Sequence, residues 1–160
     1  MLFLFIDLMI GVVLLAIALI DARTFVIPDR LSFTVIGLAL LRIPFADSET
    51  MIDLFLGGLL AFILFETTRR IMAYRLKRDA LGMGDVKLMI GGGLWLGLSS
   101  LPTAILIACF GGMIQFGILS YFYKMPIRDR KIPFGPYLVM GLLIAKLPFI
   151  QNFASVIVPL

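Results

Sequence analysis

The chain predicts an all-α, polytopic membrane protein of six transmembrane helices with both termini outside. Three observations carry that expectation. Of its 160 residues, 61% are hydrophobic, and the mean hydropathy is +1.09, whereas soluble domains carry about 45–50% apolar residues. The apolar residues fall into six separate runs. The basic residues collect in alternate connections between those runs. A soluble chain of this length could not hide so much apolar surface, so the natural solvent is lipid.

The first run, 2–20, has no Lys or Arg ahead of it, carries Asp7, and ends without a small-x-small cleavage site. It therefore reads as a span rather than a secretory signal. The second, 31–45, begins after Pro28-Asp29. Pro28 stops any continuation of the first helix, and Asp29 is placed to cap the second with its carboxylate. The third and fourth, 52–65 and 86–98, fall short of the about 20 residues a span needs, so they are expected to extend into polar flanks. The fifth is 101–121 and the sixth 137–150 or somewhat beyond. The terminal 153–160 is too short for a seventh span; it reads as an interfacial tail or a continuation of the sixth helix. No repeat or flexible linker divides the chain, so residues 1–160 are taken as one integral-membrane domain.

Basic residues set the orientation. Arg23 and Arg30 lie between spans one and two. Arg69, Arg70, Arg75, Lys77 and Arg78 lie between three and four, and Lys124, Arg128, Arg130 and Lys131 between five and six. The opposite side has Arg42 and Lys146 beside Asp47, Glu49 and Asp53. The basic side is then cytoplasmic. The net charge of +4 reads as a topology signal, and no nucleic-acid surface is expected. Gly57-Gly58, Gly91-Gly92-Gly93, Gly97 and Gly111-Gly112 mark helix–helix seams, where small residues let backbones approach.

Histidine is absent and Cys109 is the sole cysteine. That removes His-dependent catalysis, intrachain disulfides and Cys₄ zinc sites, leaving carboxylates, hydroxyls, Lys and Arg for chemistry. No metal or cofactor is expected. Cys109 reads as a small packing residue.

Two aspartates stand where an apolar chain tolerates charge least. Asp21 follows the run 11–20, and Asp85 closes Gly82-Met83-Gly84-Asp85 ahead of Val86. Acids at such positions are functional candidates by default. The bland alternatives are a solvated Asp21, paired with Arg23 or Arg69, and an Asp85 that caps the fourth helix. Gly82 and Gly84 remove side chains where the chain enters the membrane, leaving room for an extended peptide beside Asp85. The topology gives both acids the same depth. Two carboxylates sharing a site cannot both ionise readily, so one serves as acid and one as base.

These residues resemble the type IV prepilin peptidases, membrane aspartic proteases of the GxGD type. The matching strings are Asp21-Ala-Arg-Thr-Phe-Val-Ile-Pro28-Asp29, Gly82-Met-Gly84-Asp85-Val-Lys87-Leu, and Ile132-Pro133-Phe134-Gly135-Pro136-Tyr137. The resemblance implies that Asp21 and Asp85 are the catalytic pair and that the fold has six helices. It implies a prepilin or pseudopilin substrate, whose short basic leader is removed at the cytoplasmic face of the inner membrane. Larger members carry an extra N-terminal region with paired cysteines, associated with N-methylation. The likeness here is to small peptidase-only members, such as those serving Tad-type pili or archaeal preflagellins, so methyltransferase activity is not expected.

Around that pair, the segment 124–136 is expected to form a rim or lid, with Pro133 and Gly135 beside the substrate's backbone. Glu66, Asp29, Asp79 and Asp129 are the acids available to a basic leader. Glu66 has helical spacing to Arg69 and Arg70, which predicts a local ion pair. Lys87 is expected to snorkel to the interface, and Asp7 to be solvated at the outer end. The rival function is a proton- or cation-coupled transporter component using the same acids. It expects acids nearer the midplane.

Overall fold

The computed structural model describes residues 2–77, 81–123 and 133–147. Among them are six α-helices, one 3₁₀ turn and no strand, in agreement with the all-α expectation. Helix α1 spans Leu2–Thr24, α2 Asp29–Arg42, α3 Ser48–Leu76, α4 Met83–Leu96, α5 Leu101–Tyr123 and α6 Gly135–Ala145, with a 3₁₀ turn at Ile43–Phe45 after α2. Three helices, α1, α3 and α5, are long and apolar enough to cross a membrane. The expected second, fourth and sixth spans are shorter helices of 14, 14 and 11 residues. At about 1.5 Å per residue, 14 residues rise only about 21 Å. The hydropathy of those runs has another origin besides length. Helix α4 is apolar on every side because it is central, with Val86, Leu88, Met89, Leu94, Trp95 and Leu96 all buried, the pattern of a helix enclosed by protein.

Packing follows from that. Helix α4 lies against α3, α2 and, more lightly, α6; α1 lies against α2 and α6, and α5 against α6. Thus α1 and α4 are joined through α2 and α6. Most of the expected glycine seams are where these helices meet. A Cβ on Gly57 would stand 2.6 Å from the Gly93 carbonyl oxygen across the α3–α4 contact. One on Gly91 would stand 2.8 Å from Val35 on α2, and one on Gly111 2.6 Å from Tyr137 on α6. Gly97, with φ +83°, ends α4 in the left-handed region that glycine tolerates. Gly57→Val is therefore expected to destabilise the bundle by about 1–3 kcal/mol, because backbone cannot move aside as a side chain can. Denaturant titration in detergent, with Gly117→Ala as the control whose Cβ would meet nothing within 4 Å, measures it.

Polar groups tie the far end of the bundle. Asp7 is not simply solvated, as the sequence suggests: its Oδ1 accepts a hydrogen bond from Trp95 Nε1 at 2.7 Å and lies 3.3 Å from an Arg42 guanidinium nitrogen. The Trp95 carbonyl accepts from Arg42 and from Lys146 Nζ, at 3.4 and 3.3 Å. A carboxylate sheltered among helices is held because cations and an indole N–H replace its water. Arg42 and Lys146, the two cations assigned to one side by charge counting, do lie together. Cys109 is exposed on α5 rather than packed. Leu101, Ala104 and Ala108 form the buried stripe of that helix, and Cys109 falls outside it. The expected tail 153–160 and most of the expected lid, 124–132, lie outside the described residues.

Candidate active site

At the opposite end of the bundle the two flagged aspartates come from α1 and α4. Asp21 lies in the last turn of α1 and is only 4% exposed. Its Oδ2 accepts a hydrogen bond from the backbone N–H of Gly135 at 2.9 Å, so the first residue of α6 seats against it. A Cβ on Gly135 would stand 2.6 Å from that oxygen, which explains why the position is glycine. Of the two guanidiniums weighed as partners of Asp21, Arg23 is exposed, and Arg69 Nε donates to Glu66 Oε2 at 2.8 Å. Gly135, drawn from the third motif, is thus a contact of the site. Pro133 stands two residues away, half-buried.

Asp85 is half-buried in the first turn of α4, ahead of its apolar stretch. Its Oδ2 accepts the Gly82 backbone N–H at 3.2 Å, so the capping role weighed from the sequence is real. Capping occupies this carboxylate without burying it fully. Gly82 is exposed. Gly84 has a different neighbour from the one expected: a Cβ there would stand 2.8 Å from Ile27 Cβ. Its missing side chain makes room for the segment leading into α2. That segment is bent by Phe25, whose φ of 56° is left-handed, and this returns Ile27 to the interior. A bulky residue at positive φ is uncommon and marks a constrained turn.

Burial, first, and the negative charge of Asp21, second, push the Asp85 carboxyl up from 3.8 to about 6, against the opposing hydrogen bond from Gly82. The charge of Asp21 thus acts on Asp85, behind burial as the larger cause. Between those values the folded state binds more protons than the unfolded one. This contribution to stability accordingly falls as pH rises through that window. The carboxyl infrared band assigned to Asp85 is expected to titrate near pH 6. Asp21→Asn removes one cause of the shift and is expected to move the midpoint down. An unmoved midpoint would mean that the acids do not sense each other.

The other acids are engaged. Glu66 is gripped by Arg69 and by Arg70, whose Nε lies 2.7 Å from Oε1, as the spacing predicts. Asp29 does not cap α2: Pro28 holds that position, with no side-chain cap. Its Oδ2 instead lies 2.7 Å from Lys87 Nζ. Lys87, expected to snorkel, thus extends its ammonium to an exposed carboxylate at the start of α2. Asp79 and Asp129 lie outside the described residues. Among the described residues no group of three or more Asp, Glu or Cys side chains converges as metal ligands. An apolar cavity of about 450 Å³ opens next to the site, lined by Cys109, Gly112, Met113, Phe116 and Phe134. Phe134 directly precedes Gly135.

A helical bundle with three helices long and apolar enough to cross a membrane, and two aspartates at one end of it, defines a class: helical proteins of the membrane type. Comparison with known proteins narrows it. Residues 8–117 match the type IV leader peptidase family, and the chain belongs to that family. The matched region contains Asp21 and Asp85 and ends before Pro133. The chain is 35% identical over 129 residues to the type 4 prepilin-like proteins leader peptide-processing enzyme of Escherichia coli O78:H11, covering 80% of this chain and 46% of that one. It is 28% identical over 128 residues to the prepilin leader peptidase/N-methyltransferase of Pectobacterium carotovorum subsp. carotovorum, covering 80% and 46%. The enzyme of the same name from Escherichia coli K12 is 31% identical over 133 residues, covering 81% and 57%. The chain thus spans about half the length of these curated relatives. No solved structure matches it significantly.

Proposed function

We propose that the chain is an aspartic endopeptidase of the membrane that removes the short basic leader from type IV prepilins or pseudopilins, with Asp21 and Asp85 as its dyad. The observation that carries this reading is the placement of a buried Asp21, seated by the Gly135 N–H in the last turn of α1, and a half-buried Asp85 in the first turn of α4, close enough for the charge of the first to act on the second. Family membership and the printed names of the relatives support the substrate class.

In this mechanism the pair shares one proton. The ionised carboxylate takes a proton from water as the oxygen attacks the scissile carbonyl, and the protonated partner gives its proton to the leaving nitrogen. The free-enzyme profile then falls on the alkaline side near the Asp85 titration. Gly135 N–H holds Asp21 in place, and exposed Gly82 leaves space for a peptide backbone beside Asp85. The basic residues Arg23, Arg30, Arg69, Arg70, Arg75 and Lys77 lie in or next to the helix ends on the Asp21 side, which supports a cytoplasmic active site in the inner membrane with six spans and both termini outside.

A transporter role would need the acids near the middle of the bundle. Their place in the last turn of α1 and the first turn of α4 favours hydrolysis. The test reconstitutes the chain in liposomes with a tagged prepilin and reads the product by mass spectrometry. Release of a short basic leader, leaving a product with a new hydrophobic N-terminus, is expected. Intact prepilin beside a proton or cation flux that Asp21→Asn or Asp85→Asn abolishes would replace this reading with the transporter.

A further inference from the structure

Asp29 and Lys87 have no role in the dyad mechanism, yet they pair across the two segments that carry it. Lys87 lies two residues beyond Asp85, and Asp29 follows Asp21 by way of the Phe25 turn and the extended 26–28. Lys87 Nζ stands 2.7 Å from Asp29 Oδ2 and 5.2 Å from the ring centroid of Phe33, one turn along α2. The Lys87 side chain is 21% exposed and that of Asp29 60%. The ammonium is thus sheltered between a carboxylate and an aromatic face, an arrangement that restricts it.

The connectivity gives this pair leverage. Helices α1 and α4 pack on α2 rather than along each other, so the placement of Asp85 against Asp21 is relayed through the start of α2. Two of the contacts at the N-terminal end of α4 bear directly on Asp85. One is Gly84 against Ile27; it is apolar and sets closeness. The other is the ion pair, which sets direction. Exposed ion pairs contribute little to stability, so the effect of this one belongs in geometry.

We infer that the Lys87–Asp29 ion pair is a positioning device that holds the α4 acid in register with the α1 acid. This inference rests on the dyad reading for its kinetic consequence but not for its structural one. A misplacement of about 1 Å at a reacting centre costs roughly 100-fold in rate. Lys87→Met and Asp29→Asn are each expected to lower kcat by roughly 10–100-fold, with little change in KM. The double variant is expected to be no slower than either single one, and Lys87→Arg to keep most of the rate. Spin labels at Ala22→Cys and Met83→Cys, in a Cys109→Ser background, report the spacing of the two segments without any substrate. Lys87→Met is expected to broaden that distance distribution and Lys87→Arg to leave it narrow.

An unchanged distribution in Lys87→Met would overturn the inference, as would independent, multiplying losses in the double variant. Asp21→Asn and Asp85→Asn in the same cleavage assay separate the two readings. Full turnover by either removes the dyad, whereas the label distances still decide whether the ion pair positions the segments.

Discussion

Asp21→Asn and Asp85→Asn are each expected to lower prepilin cleavage by at least about 100-fold, the scale of lost general acid or base catalysis. Both variants are expected to insert and fold. The amide introduced at position 21 still offers a carbonyl oxygen to the Gly135 N–H, which in the native chain reaches Asp21 Oδ2 at 2.9 Å. The amide introduced at position 85 can likewise accept from Gly82. What each loses is the ability to ionise. For Asp21 the exchange even removes a potential charge from a site that is 4% exposed, and burying charge is costly. Circular dichroism and size exclusion in detergent check the fold, and single-turnover cleavage checks the rate. Wild-type cleavage by either variant would contradict the assignment.

Gly135→Ala is expected to be the most damaging substitution outside the dyad, with activity down by roughly 10–100-fold. The added methyl would stand 2.6 Å from Asp21 Oδ2 and 2.9 Å from its Cγ, inside contact distance. Either the carboxylate rotates away from the N–H that seats it, or the start of α6 lifts off α1. Both move the acid. Gly112→Ala is the matched control, since its methyl would meet Phe134 at 3.4 Å, an ordinary contact. That variant is expected to cleave at close to the normal rate. Equal activity in the two variants would show that the Gly135–Asp21 seat is unimportant.

The two aspartates are legible in the sequence because a charge beside an apolar run is visible in one dimension. So is the Glu66–Arg69–Arg70 cluster, whose members lie three and four residues apart on one helix. The rest depends on distance in sequence. Asp7 meets Trp95 across 88 residues, and Arg42 and Lys146 meet the Trp95 carbonyl across 53 and 51, separations at which no local spacing rule applies. Asp29 shows the same limit from the other side. Its position beside Pro28 satisfies every local requirement for a cap, but a lysine on α4 offers its carboxylate a full charge. Hydropathy likewise marks α2, α4 and α6 as apolar without separating a helix that faces lipid from one that faces other helices. Gly84 suggests open space from its spacing, yet Ile27 fills that space, a tertiary contact that glycine spacing does not encode.

The central claim is that Asp21 and Asp85 act as one unit, and a double-mutant cycle on cleavage tests it most directly. Groups that act together are strongly non-additive: removing one already forfeits what removing both would. The Asp21→Asn/Asp85→Asn double variant is predicted to cleave no more slowly than either single variant. Losses that multiply in the double variant would contradict the claim, because they would mean two acids working independently.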